Sequence, residues 1–240
     1  MTYIYLNFCF IFIFPLRIIN SVKVKGIDWI TSQQDLVHQI HRSLPTQPWW
    51  LLRHATPLVD AGICYGQLDV PADAADTRRS AQAFLAALPT LTQPLHIVSS
   101  PARRCRQLAL ALQQQAEQTG IATLPRVDTR LREMHFGRWE GRPWSTLPAT
   151  EWDSWMADFG GWPGGGNGES LHDFMARVQA VARQHLLQPN TPPTVWVTHA
   201  GVMRIMHLWQ RGVLRVSQAR DWPRHGATDP GGWLRMGAQR

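Results

Sequence analysis

The amino-acid sequence predicts an α/β fold, a three-layer α/β/α sandwich built on a mostly parallel sheet. Two observations support this prediction. Short, continuous apolar runs are typical of strands that are buried on both faces of a sheet. These runs alternate with longer segments of helical periodicity, and strands that alternate with helices usually form parallel sheets.

Five strands are predicted, three of them from strongly apolar runs. The strong runs are WWLL (49–52), LHIVSS (95–100) and TVWVTH (194–199). Two weaker runs, ATLPRV (122–127) and GWLRM (232–236), are expected to complete the sheet. The continuous apolar character of the strong runs indicates that helices cover both faces.

Two helices are predicted in the first half of the domain. An alanine-rich helix at 76–88 is expected to end at Pro89, because proline cannot continue a helix. A second helix at 101–119 has Ser100 as its expected N-cap, since a serine hydroxyl can accept a hydrogen bond from a free amide of the first turn. This helix is expected to end at Gly120.

Two further helices are predicted around the last strong strand. The segment 170–187 has apolar residues at the spacing i, i+3, i+4, i+7 and i+11, which is typical of a helix with one face towards a core. These residues are Leu171, Phe174, Met175, Val178 and Ala182. A last helix at 201–209 follows the strand and completes the order β-α-β-α-β-(α)-α-β-α.

Composition divides the chain into a leader and one folded domain. Residues 1–46 are unlike the remainder, because the first twenty are rich in Ile, Phe, Tyr and Asn. We interpret this leader as disordered, as a short membrane-surface anchor, or as sequence upstream of the true start; its apolar stretch is shorter than the roughly 20 residues that span a bilayer. Residues 47–240 form the domain, and the Trp- and Gly-rich stretch 136–168 is interpreted as a lid-like insertion with a short helix at 150–159.

Charge and cysteine content limit the class of partner. The formal net charge is +7, but Lys23 and Lys25 are the only lysines, so arginine supplies nearly all of the basic charge. The arginines are scattered without a basic run, which argues against a nucleic-acid partner. Cys9, Cys64 and Cys105 have neither disulfide nor metal-ligand spacing, which fits free thiols in a reducing, cytoplasmic compartment.

Polar and charged side chains follow the three strong strands where each one ends. WWLL leads into Arg53 and His54, LHIVSS ends in two serines, and TVWVTH ends in His199. Arg104 stands near the start of the helix after the second strand, and Glu133 follows the weak third strand. Ligands of α/β proteins bind beyond the carboxyl ends of parallel strands, so we expect these side chains to meet at one edge of the sheet.

Two histidines, two arginines and a carboxylate around one cleft indicate phosphoryl transfer. The transition state of a phosphate ester spreads negative charge over three equatorial oxygens, so arginines are suitable partners. A neutral histidine can attack phosphorus, and neighbouring arginines keep it neutral by lowering its pKa. A carboxylic acid can protonate the departing alkoxide and then, as a carboxylate, take a proton from the attacking water. Enough cations around the phosphate remove the need for a metal ion, and no metal or other cofactor is expected.

Other chemically capable residues are assigned ordinary structural roles. Arg103 and Arg106 are interpreted as solvated residues in the first turns of a helix, and Glu140 as a partner in a surface salt bridge. Seven further histidines do not stand at the carboxyl end of an apolar strand and are interpreted as packed or solvent-facing. They are His38, His41, His96, His172, His185, His207 and His225.

Four motifs, in order, resemble the histidine phosphatase superfamily, in the branch that includes cofactor-dependent phosphoglycerate mutase. They are LLRHATP, SSPARRCRQLA, LREMHFGRWEG and VTHAGVMR. The resemblance implies a phosphoglycerate mutase-like fold in which His54 is the phosphorylated nucleophile. It further implies that Arg53, Arg104 and His199 form the phosphate pocket, with His199 also catalytic, and that Glu133 is the proton donor.

The resemblance also implies a substrate. The segments ICYGQLDVPA (63–72), FGRWEGRPW (136–144) and GGGNGESLHDFMARV (164–178) look like the alpha-ribazole phosphatases, which remove the 5′-phosphate from alpha-ribazole phosphate in cobalamin biosynthesis. Ala55 and Thr56 stand where the family commonly has Gly-Glu-Thr after Arg-His. This departure bears on the substrate more than on the reaction.

Three other functions remain open: a broad-specificity small-molecule phosphatase, a phosphoglycerate mutase-like enzyme and a non-catalytic protein that binds phosphorylated ligands. A mutase needs additional cations to retain a second phosphate. Mainly four arginines are available between the predicted acid and the second predicted pocket histidine: Arg138, Arg142, Arg177 and Arg183. The sequence therefore favours a metal-independent phosphatase that acts on a small phosphomonoester through a phosphohistidine.

Overall fold

The structure, a computed structural model, describes residues 48–186 and 192–237. The predicted leader at 1–46 and the predicted helix end at Leu187 lie outside the described residues. The strands are β1 (Trp49–Arg53), β2 (Leu95–Ser99), β3 (Thr123–Val127), β4 (Thr194–Thr198) and β5 (Trp233–Met236). They form one sheet in the order β3-β2-β4-β1-β5, and the predicted α/β class is confirmed.

The sheet register brings the ends of three strands together. β4 lies between β1 and β2, and all three run parallel, with Arg53 opposite Thr198. Of the five described strands, β5 alone runs antiparallel, at the edge beside β1. The His54 amide continues the pairing beyond β1 by donating to the Thr198 carbonyl at 2.9 Å. His54, Ser100 and His199, which directly follow β1, β2 and β4, therefore lie at one edge of the sheet.

The described residues contain α-helices at each of the five predicted places, with described ends that differ by one or two residues from the predictions. They are α1 (Ala74–Ala86), α2 (Arg103–Gln118), α3 (Ala149–Ala157), α4 (Leu171–Leu186) and α5 (Ala200–Gln210). None of the helices in this part of the chain is long and apolar enough to cross a membrane.

The start of α2 differs from the capping prediction. The helix begins at Arg103, and its N-cap is Ala102, which offers no side-chain hydrogen bond. The hydroxyl of Ser100, the predicted N-cap, lies instead 2.8 Å from His199 Nε2. The prediction was wrong because this hydroxyl is engaged by a residue that is distant in sequence.

β1 buries side chains on both faces of the sheet. Trp49 and Leu51 point to one face and pack with α4, α5 and the aromatic stretch before them. Trp50 and Leu52 point to the other face and pack with α1 and α2. Successive residues of a strand point to opposite faces, so this two-sided burial explains the continuous apolar run and produces the three layers.

The Trp- and Gly-rich stretch 136–168 packs against the first of these two cores. Trp139 and Trp155 are buried. The Trp152 and Trp155 rings stack with their centroids 5.2 Å apart. The stretch thus adds an aromatic cluster to the core, and its action as a lid stays a prediction.

Candidate active site

Two histidine side chains face each other at the carboxyl edge of the sheet. His54 follows β1, His199 follows β4, and their ring centroids are 5.2 Å apart. Both side chains are buried, with exposed fractions of 1% and 0%. The parallel pairing of β1 with β4 places them together, because adjacent parallel strands in register end side by side.

The His54 ring is held through its Nδ1 atom, which lies 2.8 Å from the carbonyl oxygen of Ala55. A carbonyl oxygen can only accept, so Nδ1 bears the proton and Nε2 has a free lone pair. Burial, followed by the positive charge of Arg104, lowers the pKa of His54 well below its ordinary value; the Ala55 carbonyl opposes this shift and Arg53 adds to it. The ring is therefore neutral near pH 7, with Nε2 as a potential nucleophile.

His199 lies between a guanidinium group and a hydroxyl group. Arg104 Nη2 is 3.2 Å from His199 Nδ1, and Ser100 Oγ is 2.8 Å from His199 Nε2. A guanidinium can only donate, so Nδ1 accepts and Nε2 donates its proton to the serine oxygen. Burial and then Arg104 and His54 hold the pKa of His199 well below its ordinary value.

Arg104 is fully buried and held by two backbone carbonyls. Nη1 donates to Leu68 O at 2.8 Å, and Nη2 donates to Gly66 O at 2.7 Å. Gly66 has a φ of +31°, and a Cβ atom there would collide with Glu140 Oε1. The loop that supplies these carbonyls therefore requires glycine at this position.

Arg53 ends β1 and is half-buried. Its Nη1 donates to Thr228 O at 2.6 Å, in the loop before β5. This contact keeps the guanidinium near the two histidines, and its positive charge contributes to the lowered pKa of both His54 and His199. Two fixed cations, Arg53 and Arg104, therefore lie beside the two histidines.

The Glu133 carboxylate reaches the N-terminus of α5, which begins directly after His199. Oε2 accepts from the Gly201 amide and Oε1 from the Met134 amide, each at 3.0 Å. A Cβ atom on Gly201 would collide with Glu133 Oε1, so this close approach requires glycine. Four of the five predicted site residues are thus linked to one another through contacts or charge: Arg53, His54, Arg104 and His199. The fifth, Glu133, is hydrogen-bonded to the helix that follows His199.

Two other carboxylates near this edge have structural contacts. Glu140 Oε1 accepts from the amides of Gln67 and Phe136, both at 2.9 Å, so its interpretation as a surface salt-bridge residue was wrong. Its carboxylate is half-buried and satisfies backbone donors that a surface ion pair would leave unpaired. Glu169 accepts two hydrogen bonds from Arg177, at 2.6 and 2.8 Å. In contrast, Arg103 and Arg106 are exposed, as interpreted from the sequence.

Three residues contact the site without a catalytic or binding role having been assigned to them from the sequence, although Ser100 was expected at this edge of the sheet. Ser100 binds His199, and both Gln67 and Arg177 donate to the backbone carbonyl of Glu133, each at 2.9 Å. Each of the three stands in a segment that resembles the family or its alpha-ribazole phosphatases, and that position was the signal that could have found them.

The described residues offer neither a clustered metal site nor an activated thiol. Within 48–186 and 192–237, no group of three or more His, Cys, Asp or Glu side chains is placed to hold a metal ion. Cys64 and Cys105 are free and buried in this part of the chain, and burial raises the pKa of Cys105 to about 12. Metal independence and a cytoplasmic location stay predictions.

The fold and the cluster define an α/β protein with two histidines and two arginines grouped at the carboxyl edge of a parallel sheet. A model of the histidine phosphatase superfamily (branch 1) matches residues 49–229. The chain belongs to this superfamily, and the predicted family and its class, the phosphoric monoester hydrolases, are confirmed.

Named relatives agree with this assignment. Glucosyl-3-phosphoglycerate phosphatase of Mycobacterium tuberculosis (strain ATCC 25618 / H37Rv) is 30% identical over 199 residues, which cover 78% of this chain and 83% of the relative. The protein of the same name from Mycolicibacterium vanbaalenii is 29% identical over 196 residues, which cover 78% of this chain and 82% of the relative.

Solved structures with the same fold include two kinds of enzyme. Phosphoglycerate mutase from Thermus thermophilus is 29% identical with a TM-score of 0.55, covering 79% of this chain and 92% of that chain. Mycobacterial glucosyl-3-phosphoglycerate phosphatase is also 29% identical, with a TM-score of 0.59 and coverage of 79% and 89%. The predicted phosphoglycerate mutase-like fold is confirmed.

Proposed function

We propose that this chain is a phosphomonoesterase that acts through a phosphohistidine formed on Nε2 of His54. The observation that supports this most is the contact between His54 Nδ1 and the Ala55 carbonyl, which leaves Nε2 unprotonated in a buried, cationic cleft. Nε2 attacks phosphorus, and the bond from phosphorus to the departing alcohol oxygen breaks. Water then attacks the phosphohistidine, which releases inorganic phosphate and restores His54.

Arg53, Arg104 and His199 form the proposed phosphate pocket. The two guanidinium groups supply fixed positive charge beside His54, and the Nε2–H group of His199 can turn from Ser100 Oγ to a phosphate oxygen. Preorganised donors of this kind stabilise the charge that spreads over the equatorial oxygens in the transition state. We therefore propose no metal ion or other cofactor.

Glu133 is the proposed general acid and base. Its protonated carboxyl group gives a proton to the departing alkoxide, and its carboxylate later takes a proton from the attacking water. Both oxygens are held by backbone amides, and the side chain is half-buried, so it is not sealed from solvent.

The proposed substrate is a small phosphomonoester with an alkoxide leaving group. Alpha-ribazole 5′-phosphate, in cobalamin biosynthesis, is the first candidate, supported by the segments 63–72 and 164–178. Glucosyl-3-phosphoglycerate is the second, supported by the names of relatives that are 29–30% identical. Each segment also supplies a side chain that donates to the Glu133 carbonyl: Gln67 from the first and Arg177 from the second. The two segments therefore have a role in placing the proposed acid, besides indicating a substrate.

A mutase-like enzyme is a weaker candidate because the four arginines between 134 and 198 have other contacts. Arg177 uses all of its donors on backbone and carboxylate oxygens. Arg142 donates to a carbonyl at 3.1 Å, and Arg138 lies 3.8 Å from a glutamate. Arg183 is exposed on α4. Arg177 therefore has no donor left for a second phosphate, and the other three side chains are exposed, which makes a mutase the weaker candidate.

A product assay tests this proposal. The purified chain is incubated with alpha-ribazole 5′-phosphate, glucosyl-3-phosphoglycerate, 3-phosphoglycerate and p-nitrophenyl phosphate, and inorganic phosphate and phosphoglycerate isomers are measured. Phosphate release with a kcat/KM at least about tenfold higher for one ester supports a dedicated phosphatase and identifies its substrate class. Similar values for all four support a broad-specificity phosphatase. Isomerisation without phosphate release, or tight binding without turnover, overturns the proposal.

A further inference from the structure

A mostly buried arginine on α4 lies behind the proposed acid–base residue. We infer that Arg177 is a positioning residue for Glu133, an inference that rests on the proposed function. The Arg177 side chain is 19% exposed, and it acts on Glu133 through the backbone and not through the carboxylate.

All five N–H donors of the Arg177 guanidinium are in use. Nη1 donates to the carbonyls of Arg130 and Arg132, at 2.6 and 2.7 Å. Nη2 donates to the carbonyl of Glu133 at 2.9 Å and to Glu169 Oε2 at 2.8 Å, and Nε donates to Glu169 Oε1 at 2.6 Å. No donor is left for a phosphate oxygen, so Arg177 is not a phosphate ligand.

These contacts replace the regular backbone pairing that the Glu133 segment lacks. Residues 132–136 lie in neither a helix nor a strand, yet the carbonyls just before and at Glu133 are all bound by side chains. Arg177 binds three of them, Thr198 Oγ1 donates to Leu131 O at 3.0 Å, and Gln67 shares the Glu133 carbonyl. Backbone groups that are satisfied in this way hold the segment in one conformation.

Arg177 also has an indirect contact, through Phe174, with the carboxylate end of Glu133. The Arg177 guanidinium lies 4.5 Å from the ring centre of Phe174, one turn earlier on α4. A Cβ atom on Gly201 would lie 2.8 Å from Phe174 Cε1, so that ring packs directly against the start of α5. The Gly201 amide in turn binds Glu133 Oε2. Arg177 and its neighbours thus fix both the backbone and the carboxylate of Glu133.

Glu169 balances the positive charge of the Arg177 guanidinium. Its carboxylate binds Arg177 through two hydrogen bonds, and its side chain is 15% exposed. A mostly buried guanidinium without such a partner is strongly destabilising. Glu169 is therefore assigned as the counter-ion of the positioning residue, not as an acid in the reaction.

A positioning role predicts a loss that depends on the leaving group. Misplacement of a catalytic group by about 1 Å can cost about 10²-fold in rate. Arg177→Met should therefore lower turnover of an alkyl phosphate such as glycerol phosphate about 10- to 100-fold, because its alkoxide needs a proton. The burst of nitrophenolate from p-nitrophenyl phosphate should change less than about threefold, because nitrophenolate leaves without a proton.

Pre-steady-state kinetics of wild type, Arg177→Met and Arg183→Met test this inference. Arg183 is the matched control, because it lies on the same helix and is exposed; its substitution should leave both rates within about twofold. Equal losses on both substrates in Arg177→Met would show a structural role only. A wild-type enzyme that releases phosphate from neither ester would instead overturn the proposed function.

A double-mutant cycle of Glu169→Gln with Glu133→Gln gives a second test. It does not depend on Arg177→Met, so it remains available if that variant does not fold. If Arg177 and Glu169 act through Glu133, Glu169→Gln should lower alkyl phosphate turnover several-fold in wild type and less than twofold in a Glu133→Gln background. Full additivity of the two losses would overturn the inference, because it would show that Glu169 acts independently of Glu133.

Discussion

A hydrogen bond of 3.2 Å joins Arg104 Nη2 to His199 Nδ1 and determines which nitrogen of that histidine bears the proton. The guanidinium cannot accept, so His199 presents Nε2–H to Ser100 and, in the proposed reaction, to phosphate. Arg104 therefore has two effects in the cleft: it adds a cation, and it selects one tautomer of a neighbouring imidazole.

Loss of the Arg104 charge should move the acidic limb of the activity profile to higher pH. The positive charge of Arg104 lowers the pKa of His54 and of His199, so its removal raises both. More of the nucleophile is then protonated at a given acidic pH, and kcat/KM should fall earlier on acidification. Arg104→Met and Arg104→Lys are compared over pH 4–8, and the lysine variant, which keeps the charge, should shift less. The interpretation is wrong if the two variants have the same acidic limb.

Removal of the proposed nucleophile should abolish the intermediate. His54→Ala should lower kcat at least about 10³-fold, because His54 is the proposed nucleophile and the neighbouring His199 presents Nε2–H and not a free lone pair. Rapid acid-free quenching with labelled substrate should trap acid-labile phosphate on the His54 peptide of wild type. Label on any other residue would contradict the assignment.

The loss of rate in Glu133→Gln should increase with the basicity of the leaving group. The amide keeps the shape of the side chain but cannot donate an acidic proton. General acid catalysis contributes roughly 10²–10⁴-fold, so a sugar phosphate should lose about that much. The nitrophenolate burst is the matched measurement, and it should be far less affected. Equal slowing on both substrates would show that the acid lies elsewhere.

His185 should make the fold less stable in mild acid. Its imidazole is 4% exposed and packs beside Trp49, with ring centroids 4.6 Å apart. Burial, then the charges of Arg126 and His96, lowers the pKa of His185 to about 4. Between pH 6.5 and about 4 the unfolded chain therefore binds a proton that the folded chain does not. Stability that is present above pH 6.5 is lost across this window, by about 3 kcal/mol at most.

The free energy of unfolding, measured in urea at pH 7.5 and pH 5, tests the His185 prediction. His185→Phe removes the titrating group and should lose less stability between the two values than wild type. His54 and His199 have lowered pKa values as well, so some loss should remain. An unchanged loss in His185→Phe would show that the stability in acid depends on other groups.

Chelation should leave activity unchanged. The proposed pocket supplies its positive charge from Arg53 and Arg104, and it lacks the clustered carboxylates that hold magnesium against a phosphate. Phosphate release is measured after dialysis against excess EDTA and again after Mg²⁺, Mn²⁺ or Zn²⁺ is added. A strict requirement for one of these ions would contradict the proposed mechanism.

The sequence predicted the strong strands from continuous apolar runs and the helices from apolar periodicity and from the proline and glycine residues that end them. WWLL and TVWVTH are buried on both faces, and parallel strands that are covered on both sides have this pattern. Strand ends then placed Arg53, His54 and His199 at one edge without any structural information. Element boundaries were less exact, and Ser100 shows why: its hydroxyl favours a cap locally, but a contact with a histidine 99 residues away takes precedence.

The supporting residues were harder to predict, because their contacts leave no local pattern. Arg177 fits the polar face of an amphipathic helix, and nothing in its spacing indicates that it binds backbone carbonyls 44 to 47 residues earlier. Gln67 is a comparable case, with an amide that reaches the carbonyl of Glu133 over 66 residues. Side-chain contacts to irregular backbone depend on tertiary packing, which the period of a sequence does not encode.

The pairing of β4 with its two neighbours continues into the site itself. The amides of His54 and Ser100 donate to the carbonyls of Thr198 and Val197, each at 2.9 Å. In native-state hydrogen exchange, amides of a central sheet open only when the whole domain unfolds, whereas loop amides open locally. We therefore expect these two amides to be among the slowest to exchange in the chain. His54 and Ser100 would then unfold together, as parts of one cooperative unit. A heated sample should therefore contain no folded population in which these two residues have separated.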